Sequence, residues 1–162
     1  MSQQLWLLRH GEAESHDSAP DAHRRLTSRG EEQSEVAGRA LAALGIVVHD
    51  AYTSPKVRAR DTARLACAAL GLEPVEHEEL ADGFGAREAL ALAAATGTDR
   101  RLLVVGHNPD FPQVVHDLTG ARVELKKGGV AGVRLGGGGG GELIALLRPR
   151  ELAAVADGPF KR

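Results

Sequence analysis

Short, wholly apolar runs alternate with stretches of helical character along this chain, and this alternation constrains its fold more than any other feature. The runs Leu5–Leu8 and Leu102–Val105 contain only apolar residues, which is typical of strands buried on both faces. Residues 28–44 have the apolar spacing of a helix, and residues 86–96 are rich in alanine. Strands that alternate with helices are typical of βαβ units, so the sequence predicts an α/β fold around a parallel sheet.

The remaining segments extend this pattern. Ser28 and Glu31 predict a capping box at the start of the first helix. The glycine run 136–141 matches a dinucleotide-binding pattern trivially, but it lies between two predicted strands and therefore predicts a hairpin tip. The other predicted elements are a strand at 51–53, a helix that Ser54 and Pro55 open and that runs to about Leu70, a short strand at 74–77, a helix with Phe111, Val114, Val115 and Leu118 on one face, and two final strands at about 129–135 and 142–147.

Composition limits the possible functions. The chain has 162 residues, enough for one domain with a real core, and its formal net charge is -2. Such a chain has no broad basic surface for nucleic acid, so an anion site must be built from a few converging groups. Cys67 is the single cysteine, which rules out an internal disulfide and fits a reducing compartment. The apolar stretch Leu5–Leu8 is too short for a signal peptide or membrane span, and we predict a cytoplasmic protein without a membrane partner.

Cationic and imidazole side chains follow three of the predicted strands. Arg9 and His10 come directly after the first strand, Arg58 lies one turn into the helix after the second, and His107 follows the fourth. In open α/β sheets, ligands bind at the carboxyl ends of the strands. Two guanidinium groups and two imidazoles at one edge predict an anion pocket, to which the helix opened by Pro55 adds its positive end. Phosphate is the best match, because its charge needs several donors at once.

In such a pocket a histidine can act as a nucleophile. Neutral imidazole attacks phosphorus through one ring nitrogen, and the other needs a fixed partner such as a backbone carbonyl. His10 is the candidate for this role, and His107 can donate to a phosphoryl oxygen as an electrostatic stabiliser. Gly11 and Gly106 adjoin the two histidines, where a missing side chain lets the backbone approach a ligand closely.

Four segments resemble motifs of the histidine phosphatase superfamily. The order and spacing of these segments extend over nearly the whole chain, and its short length resembles the SixA-type phosphohistidine phosphatases most. The resemblance implies a three-layer α/β/α sandwich with a mostly parallel central sheet, the phosphoglycerate mutase-like fold, in a single histidine phosphatase domain over residues 1–162. It also implies a phosphohistidine intermediate and no metal or other cofactor. The segments are Leu8–Glu14 with its Arg-His-Gly signature, Arg24–Gly30, Ser54–Ala63 and Gly106–Pro109.

The resemblance also assigns site residues. His10 matches the family nucleophile, and Arg9, Arg58 and His107 match its phosphate pocket. The other residues expected to bind substrate are Gly11 and Asn108, beside the two histidines, and Asp21 and Arg24, near the rim of the site.

The proton donor for the leaving group stays open at this point. Larger members carry an acid in an insertion after the third strand; here Asp82 is the nearest match, and Glu79 or water is the alternative. An alkoxide leaves poorly without a proton, whereas imidazole, with a pKa of roughly 6.5, leaves far more easily. A site with a weakly matched acid and no long insertion as a lid favours phosphohistidine presented by another protein.

Three functions follow, in this order. We predict a phosphatase that acts on phosphohistidine in a protein substrate. The alternative is a phosphatase of the same mechanism for a small phosphate ester, such as a sugar, nucleotide or cofactor phosphate. A phosphate-binding module that has lost catalysis is less favoured, because the candidate nucleophile and arginines are all present.

The other histidines and lysines receive simpler interpretations. No His-x-His, His-Glu-x-x-His or cysteine cluster is present, so a metal site is not expected. Lys126 and Lys127 are interpreted as a solvated turn, with docking of an acidic protein partner as the alternative. Surface or packing positions are predicted for His16, His23, His49, His77 and His116.

Overall fold

The computed structural model describes residues 3–157, which form a six-stranded sheet with helices on both faces. The strands lie in the order β3-β2-β4-β1-β5-β6. Strands β3, β2, β4 and β1 pair in parallel, whereas β5 pairs antiparallel with β1 and β6 antiparallel with β5. The predicted mostly parallel sheet is therefore confirmed. The strands are β1 (Gln3–Arg9), β2 (Asp50–Thr53), β3 (Val75–Glu76), β4 (Arg101–Gly106), β5 (Val130–Leu135) and β6 (Gly141–Leu147).

Five α-helices cover the sheet in this part of the chain, together with short 3₁₀ turns. The four predicted helices are confirmed, and a fifth, at the end of the described chain, was not predicted. No helix among residues 3–157 has the length and apolar character to cross a membrane. The helices are α1 (Ser28–Ala43), α2 (Val57–Leu70), α3 (Ala86–Thr96), α4 (Asp110–Thr119) and α5 (Pro149–Asp157), and the 3₁₀ turns are Asp21–His23, Glu78–Leu80 and Gly137–Gly139.

Alternate residues of the central strands pack on opposite faces of the sheet. In β1, Leu5 and Leu7 join a core cluster with α3 and α4, whereas Trp6 and Leu8 join a second cluster with α1, α2 and α5. The same alternation holds along β4. Both faces of these strands are buried, which explains why they read as continuous apolar runs. The three-layer α/β/α sandwich is confirmed.

The capping box predicted for α1 is wrong by one residue, and the predicted start of α2 is wrong by two. The N-cap of α1 is Thr27, whose Oγ1 accepts a hydrogen bond from Gly30 N at 3.1 Å, so the capping box predicted at Ser28 is not formed. The reason is that the chain stays extended as far as Thr27, where the same hydroxyl donates to Glu12. Helix α2 begins at Val57, two residues after Pro55.

The topology brings three loops to one edge of the sheet. Strands β2, β4 and β1 are parallel neighbours, so their carboxyl ends lie side by side. Backbone hydrogen bonds join the residues that follow them: His10 N donates to Gly106 O at 3.0 Å, and Ser54 N donates to Val105 O at 3.0 Å. The segment before β5 reaches the same edge, where Arg9 N donates to Gly129 O at 3.1 Å. This edge carries the candidate site.

Candidate active site

His10 is buried at the end of β1 and is held in one tautomer. Its Nδ1 lies 2.7 Å from the carbonyl oxygen of Gly11, which can only accept, so Nδ1 carries the proton and Nε2 carries the free lone pair. The pKa of His10 is lowered from 6.5 to about 4, mainly by burial; the bond to Gly11 acts in the opposite direction, and Arg58 and Arg9 add to the lowering. The imidazole is therefore neutral near neutral pH, and Nε2 is available as a nucleophile. The backbone partner predicted for the second ring nitrogen is confirmed.

His107 lies at the end of β4, with its ring centroid 5.2 Å from that of His10. Its Nε2 is 2.8 Å from Ser54 Oγ, and that hydroxyl accepts a bond from Lys56 N at 3.2 Å. A serine that accepts from Lys56 can donate its own proton to Nε2, which leaves a proton on Nδ1 of His107. This Nδ1 is buried without a partner among the described residues. Burial lowers the pKa of His107 to about 3, so a neutral ring offers Nδ1–H as a donor.

Two arginines next to the histidines are fixed by carbonyl groups. Arg9 Nη1 donates to Leu125 O at 3.0 Å, and Arg58 Nη1 donates to Asp21 O at 2.7 Å. In both side chains Nε is buried and has no partner among residues 3–157. Burial lowers the pKa of both guanidinium groups from 12.5, because desolvation disfavours their charge. A phosphoryl group with its three oxygens would satisfy these donors and compensate the charge.

Asp21 joins the cations on one side of this site. Its carboxylate lies 3.0 Å from Arg24, 3.0 Å from Lys56 and 3.3 Å from Arg58. The Lys56 ammonium holds the pKa of Asp21 well below its usual range, with Arg24 and Arg58 acting in the same direction, while desolvation opposes them. Arg24 also donates to Glu14 O at 2.8 Å. Asp21 therefore orients three cations of the site and neutralises part of their charge.

The two glycines beside the histidines serve packing. A Cβ on Gly11 would lie 2.5 Å from Gly30 O in α1, and one on Gly106 would lie 2.7 Å from the ring of Phe111. Gly11 N donates to Thr62 Oγ1 at 3.1 Å, and Gly11 O is occupied by His10. Packing therefore accounts for both glycines, and the predicted close approach of the backbone to a ligand stays a prediction. Gly11 positions His10, and both of its backbone groups are hydrogen-bonded within the protein.

Asp82 lies at the mouth of the site. Its side chain is 86% exposed and pairs with Lys56 at 3.2 Å. Asp110 holds the loop that follows, because its Oδ2 accepts from Gly83 N at 3.0 Å and from Phe84 N at 3.3 Å. Asp82 is thus an exposed, ion-paired carboxylate and is not enclosed in an apolar pocket.

These side chains line one cleft of about 270 Å³. All the predicted site residues except Gly11 lie on its wall. The alternative acid, Glu79, does not line the cleft, and its carboxylate lies 3.2 Å from His77 Nε2. Within residues 3–157, no group of three or more histidine, cysteine or acidic side chains is placed to hold a metal ion. Asn108 lines the cleft with Nδ2 bonded to Leu125 O at 3.2 Å and Oδ1 buried without a described partner. Sequence reasoning missed four further lining residues with charged or imidazole side chains, His16, Lys56, Asp110 and Lys127.

The free energy of unfolding is expected to fall as the pH drops from 6.5 towards about 4. His10 and His107 stay neutral in the folded protein, with pKa values of about 4 and about 3, but protonate near 6.5 in the unfolded chain. In that window the unfolded state binds more protons, so stability is lost as the pH falls. Denaturant unfolding of the wild type and of His107→Gln measures this effect. The variant should lose less stability than the wild type as the pH falls across this window. Equal losses in the two proteins would contradict the lowered pKa of His107 in the folded state.

Comparisons with known proteins agree with this geometry. The model of the histidine phosphatase superfamily (branch 1) matches residues 5–111. An uncharacterised protein from Picosynechococcus sp. (strain ATCC 27264 / PCC 7002 / PR-6) is 36% identical over 141 residues, 82% of this chain and 86% of that protein. The solved structure of the protein histidine phosphatase SixA complexed with tungstate has a TM-score of 0.83 at 25% identity, covering 92% of this chain and 99% of that chain.

A more distant structure shares the fold alone. The alpha-ribazole phosphatase from Shigella flexneri has a TM-score of 0.74 at 18% identity, covering 90% of this chain and 96% of that chain. The matched region contains strands β2–β4, most of β1, and the residues His10, Arg58 and His107. The chain therefore belongs to the histidine phosphatase superfamily, branch 1.

Proposed function

We propose that this protein is a metal-independent phosphatase that hydrolyses phosphohistidine on a protein substrate through a covalent phospho-His10 intermediate. One observation carries the proposal: a neutral histidine with a free Nε2 shares a cleft with two desolvated arginines and a histidine donor. Tungstate, which the related SixA structure holds, is a tetrahedral oxyanion like phosphate.

In the first half-reaction, His10 takes the phosphoryl group from the substrate. Arg9, Arg58 and His107 bind the phosphoryl oxygens and stabilise the charge that they carry in the transition state. His10 Nε2 forms the new P–N bond while the P–N bond to the substrate imidazole breaks. The electron pair of that bond stays on the leaving nitrogen, which takes a proton from water. The Nδ1–H bond to Gly11 stabilises the positive ring of phospho-His10.

In the second half-reaction, water releases the phosphate. The water oxygen attacks phosphorus, and the electron pair of the P–N bond returns to His10 Nε2. A proton of that water passes to solvent, and inorganic phosphate leaves. The enzyme is restored to the neutral tautomer with which it began.

The leaving group distinguishes the possible substrates. Asp82 is exposed and ion-paired with Lys56. Among the described residues, none of the acids that line the cleft is buried. A site without a buried acid suits the departure of imidazole, whose pKa is roughly 6.5, better than the departure of an alkoxide. Only residues 77–85 separate β3 from α3, so this connection carries no long insertion that would cover the cleft. Both features favour phosphohistidine on a protein surface.

Hydrolysis of a small phosphate ester is the second candidate, because Asp82 does line the cleft. The test is a panel assay with a phosphohistidine peptide, the same peptide carrying phosphoserine, and sugar and nucleotide phosphates. The proposal predicts the highest kcat/KM for the phosphohistidine peptide. Faster hydrolysis of one small ester would retain the nucleophile and assign the protein to small-molecule phosphatases.

Replacing Asp82 with asparagine is expected to change kcat on a phosphohistidine peptide by less than about threefold, because imidazole leaves without an acid. If Asp82 were a general acid, removal of its proton would lower kcat by roughly 10²–10⁴-fold. Steady-state kinetics of the wild type and of Asp82→Asn on phosphohistidine and phosphoserine peptides measures the change in kcat for each substrate. A loss of the larger size on phosphohistidine would contradict our account of the leaving group.

A further inference from the structure

A second cavity of about 450 Å³ lies beside the catalytic cleft. The first turn of α1, the segment before β5 and the start of α5 form it. Among the described residues, Glu12 is the only acidic side chain that lines this basic cavity. The whole chain carries a net charge of -2, so the excess of positive charge here is local. The cations that line it are Arg9, Arg29, Lys126, Lys127, Arg148 and Arg150.

Carboxylates of the chain compensate only part of this charge. Within residues 3–157, three acids pair with four of the six cations, and neither Arg9 nor Lys127 forms an ion pair with a described residue. The pairs are Arg29–Glu12 at 3.8 Å, Lys126–Glu124, Arg148–Glu151 at 2.8 Å and Arg150–Glu151 at 4.0 Å.

The basic cavity adjoins the catalytic cleft. Arg9 and Lys127 line both, so one wall is shared. Arg9 Nη1 is fixed on Leu125 O, which holds this shared wall in place. A substrate whose phosphoryl group occupies the cleft therefore presents its neighbouring surface to the basic cavity.

We propose that the basic cavity binds acidic side chains of the phosphorylated protein whose phosphohistidine occupies the cleft, an inference that rests on the proposed function. Three of these cations are largely exposed and lie on different elements. They are Arg29 at the start of α1 (74% exposed), Arg148 just before α5 (53%) and Arg150 at the start of α5 (77%). Dispersed, exposed cations suit several carboxylates spread over a protein surface. A single phosphate would need converging, buried donors like those of the cleft. Such exposed pairs are weak individually but together steer association, in a salt-dependent way.

Binding in the His10→Ala background tests this inference without turnover. Two fluorescent peptides of equal length carry one phosphohistidine, flanked by glutamates in one and by glutamines in the other. Anisotropy should give about tenfold tighter binding of the glutamate peptide, a difference of about 1.4 kcal/mol that shrinks as salt is added. The further changes Lys126→Glu and Arg150→Glu should remove the preference. The matched control, Arg64→Glu with Arg122→Glu, makes the same change in net charge at exposed positions that line neither cavity. This control should retain the preference for the glutamate peptide.

The outcomes separate this inference from the proposed function. Equal affinity of the His10→Ala protein for both peptides would overturn the inference. So would an equal loss of the preference for the glutamate peptide in the matched control. With His10 restored, the Lys126→Glu/Arg150→Glu protein should hydrolyse phosphoramidate at the wild-type rate, which shows that the cleft is intact. If the wild type bound the glutamate peptide more tightly but did not hydrolyse its phosphohistidine, the inference of acidic docking would stand and the proposed function would be wrong.

Discussion

Replacing His10 with alanine is expected to abolish turnover, by at least roughly 10⁴-fold, and to leave the fold intact. His107 is not expected to take over, because its Nε2 is already bonded to Ser54 at 2.8 Å. The fold should survive, since the strand hydrogen bonds of β1 are made by the backbone. Phosphoramidate hydrolysis and thermal unfolding followed by circular dichroism check the two parts of this prediction.

The control for this variant is His116→Ala. His116 lies exposed on α4, within the same part of the chain as His107 but away from the cleft, and its loss should change neither rate nor stability. Turnover by His10→Ala at a rate comparable to that of the control would mean that another group accepts the phosphoryl group.

Replacing Arg58 with alanine is expected to lower kcat/KM by about 10²–10³-fold, which corresponds to about 3–4 kcal/mol of transition-state stabilisation. Arg58 is 5% exposed, and its guanidinium is anchored by the backbone and carboxylate of Asp21. A desolvated cation that is already in place stabilises the phosphoryl charge without reorganisation. Steady-state kinetics on a phosphohistidine peptide measures the loss.

Two further variants separate charge from geometry. Arg58→Lys keeps the charge but loses the planar fork, so it should restore only part of the rate. Arg60→Ala removes a half-exposed arginine two residues later on α2, which pairs with Asp61 at 3.8 Å, and should leave kcat/KM unchanged. Equal rates for Arg58→Ala and Arg60→Ala would show that Arg58 has no special role.

The sheet and the positions of His10, Arg58 and His107 could be predicted because they depend on local sequence. Buried parallel strands need apolar side chains on both faces, so β1 and β4 read as continuous apolar runs. Residues that follow parallel neighbours must then meet at one sheet edge. Helix α5 was missed because it is short, and Leu152 and Ala156 are its only buried residues, too few for a periodic pattern.

The partners within the site could not be predicted in the same way. Asp21 meets Lys56 and Arg58 through a contact between a 3₁₀ turn and α2, more than thirty residues apart, which no local pattern records. The packing of Gly11 against Gly30 is a contact between β1 and α1 regions of the chain that no local pattern records either. Asp82 was placed correctly at the cleft, but its pairing with Lys56 and its exposure depend on the folded loop.

The position of the phosphoryl group on the enzyme is the most direct test of whether His10 Nε2 is the nucleophile. Wild-type protein is mixed with a phosphohistidine peptide and quenched in alkali, and the phosphorylated residue and ring nitrogen are identified by peptide mapping and ³¹P NMR. Because Nδ1 of His10 is bonded to Gly11 O, we expect phosphate on Nε2 of His10. Phosphate on another residue or on Nδ1 of His10, or turnover with no phosphoenzyme at any quench time, would contradict it.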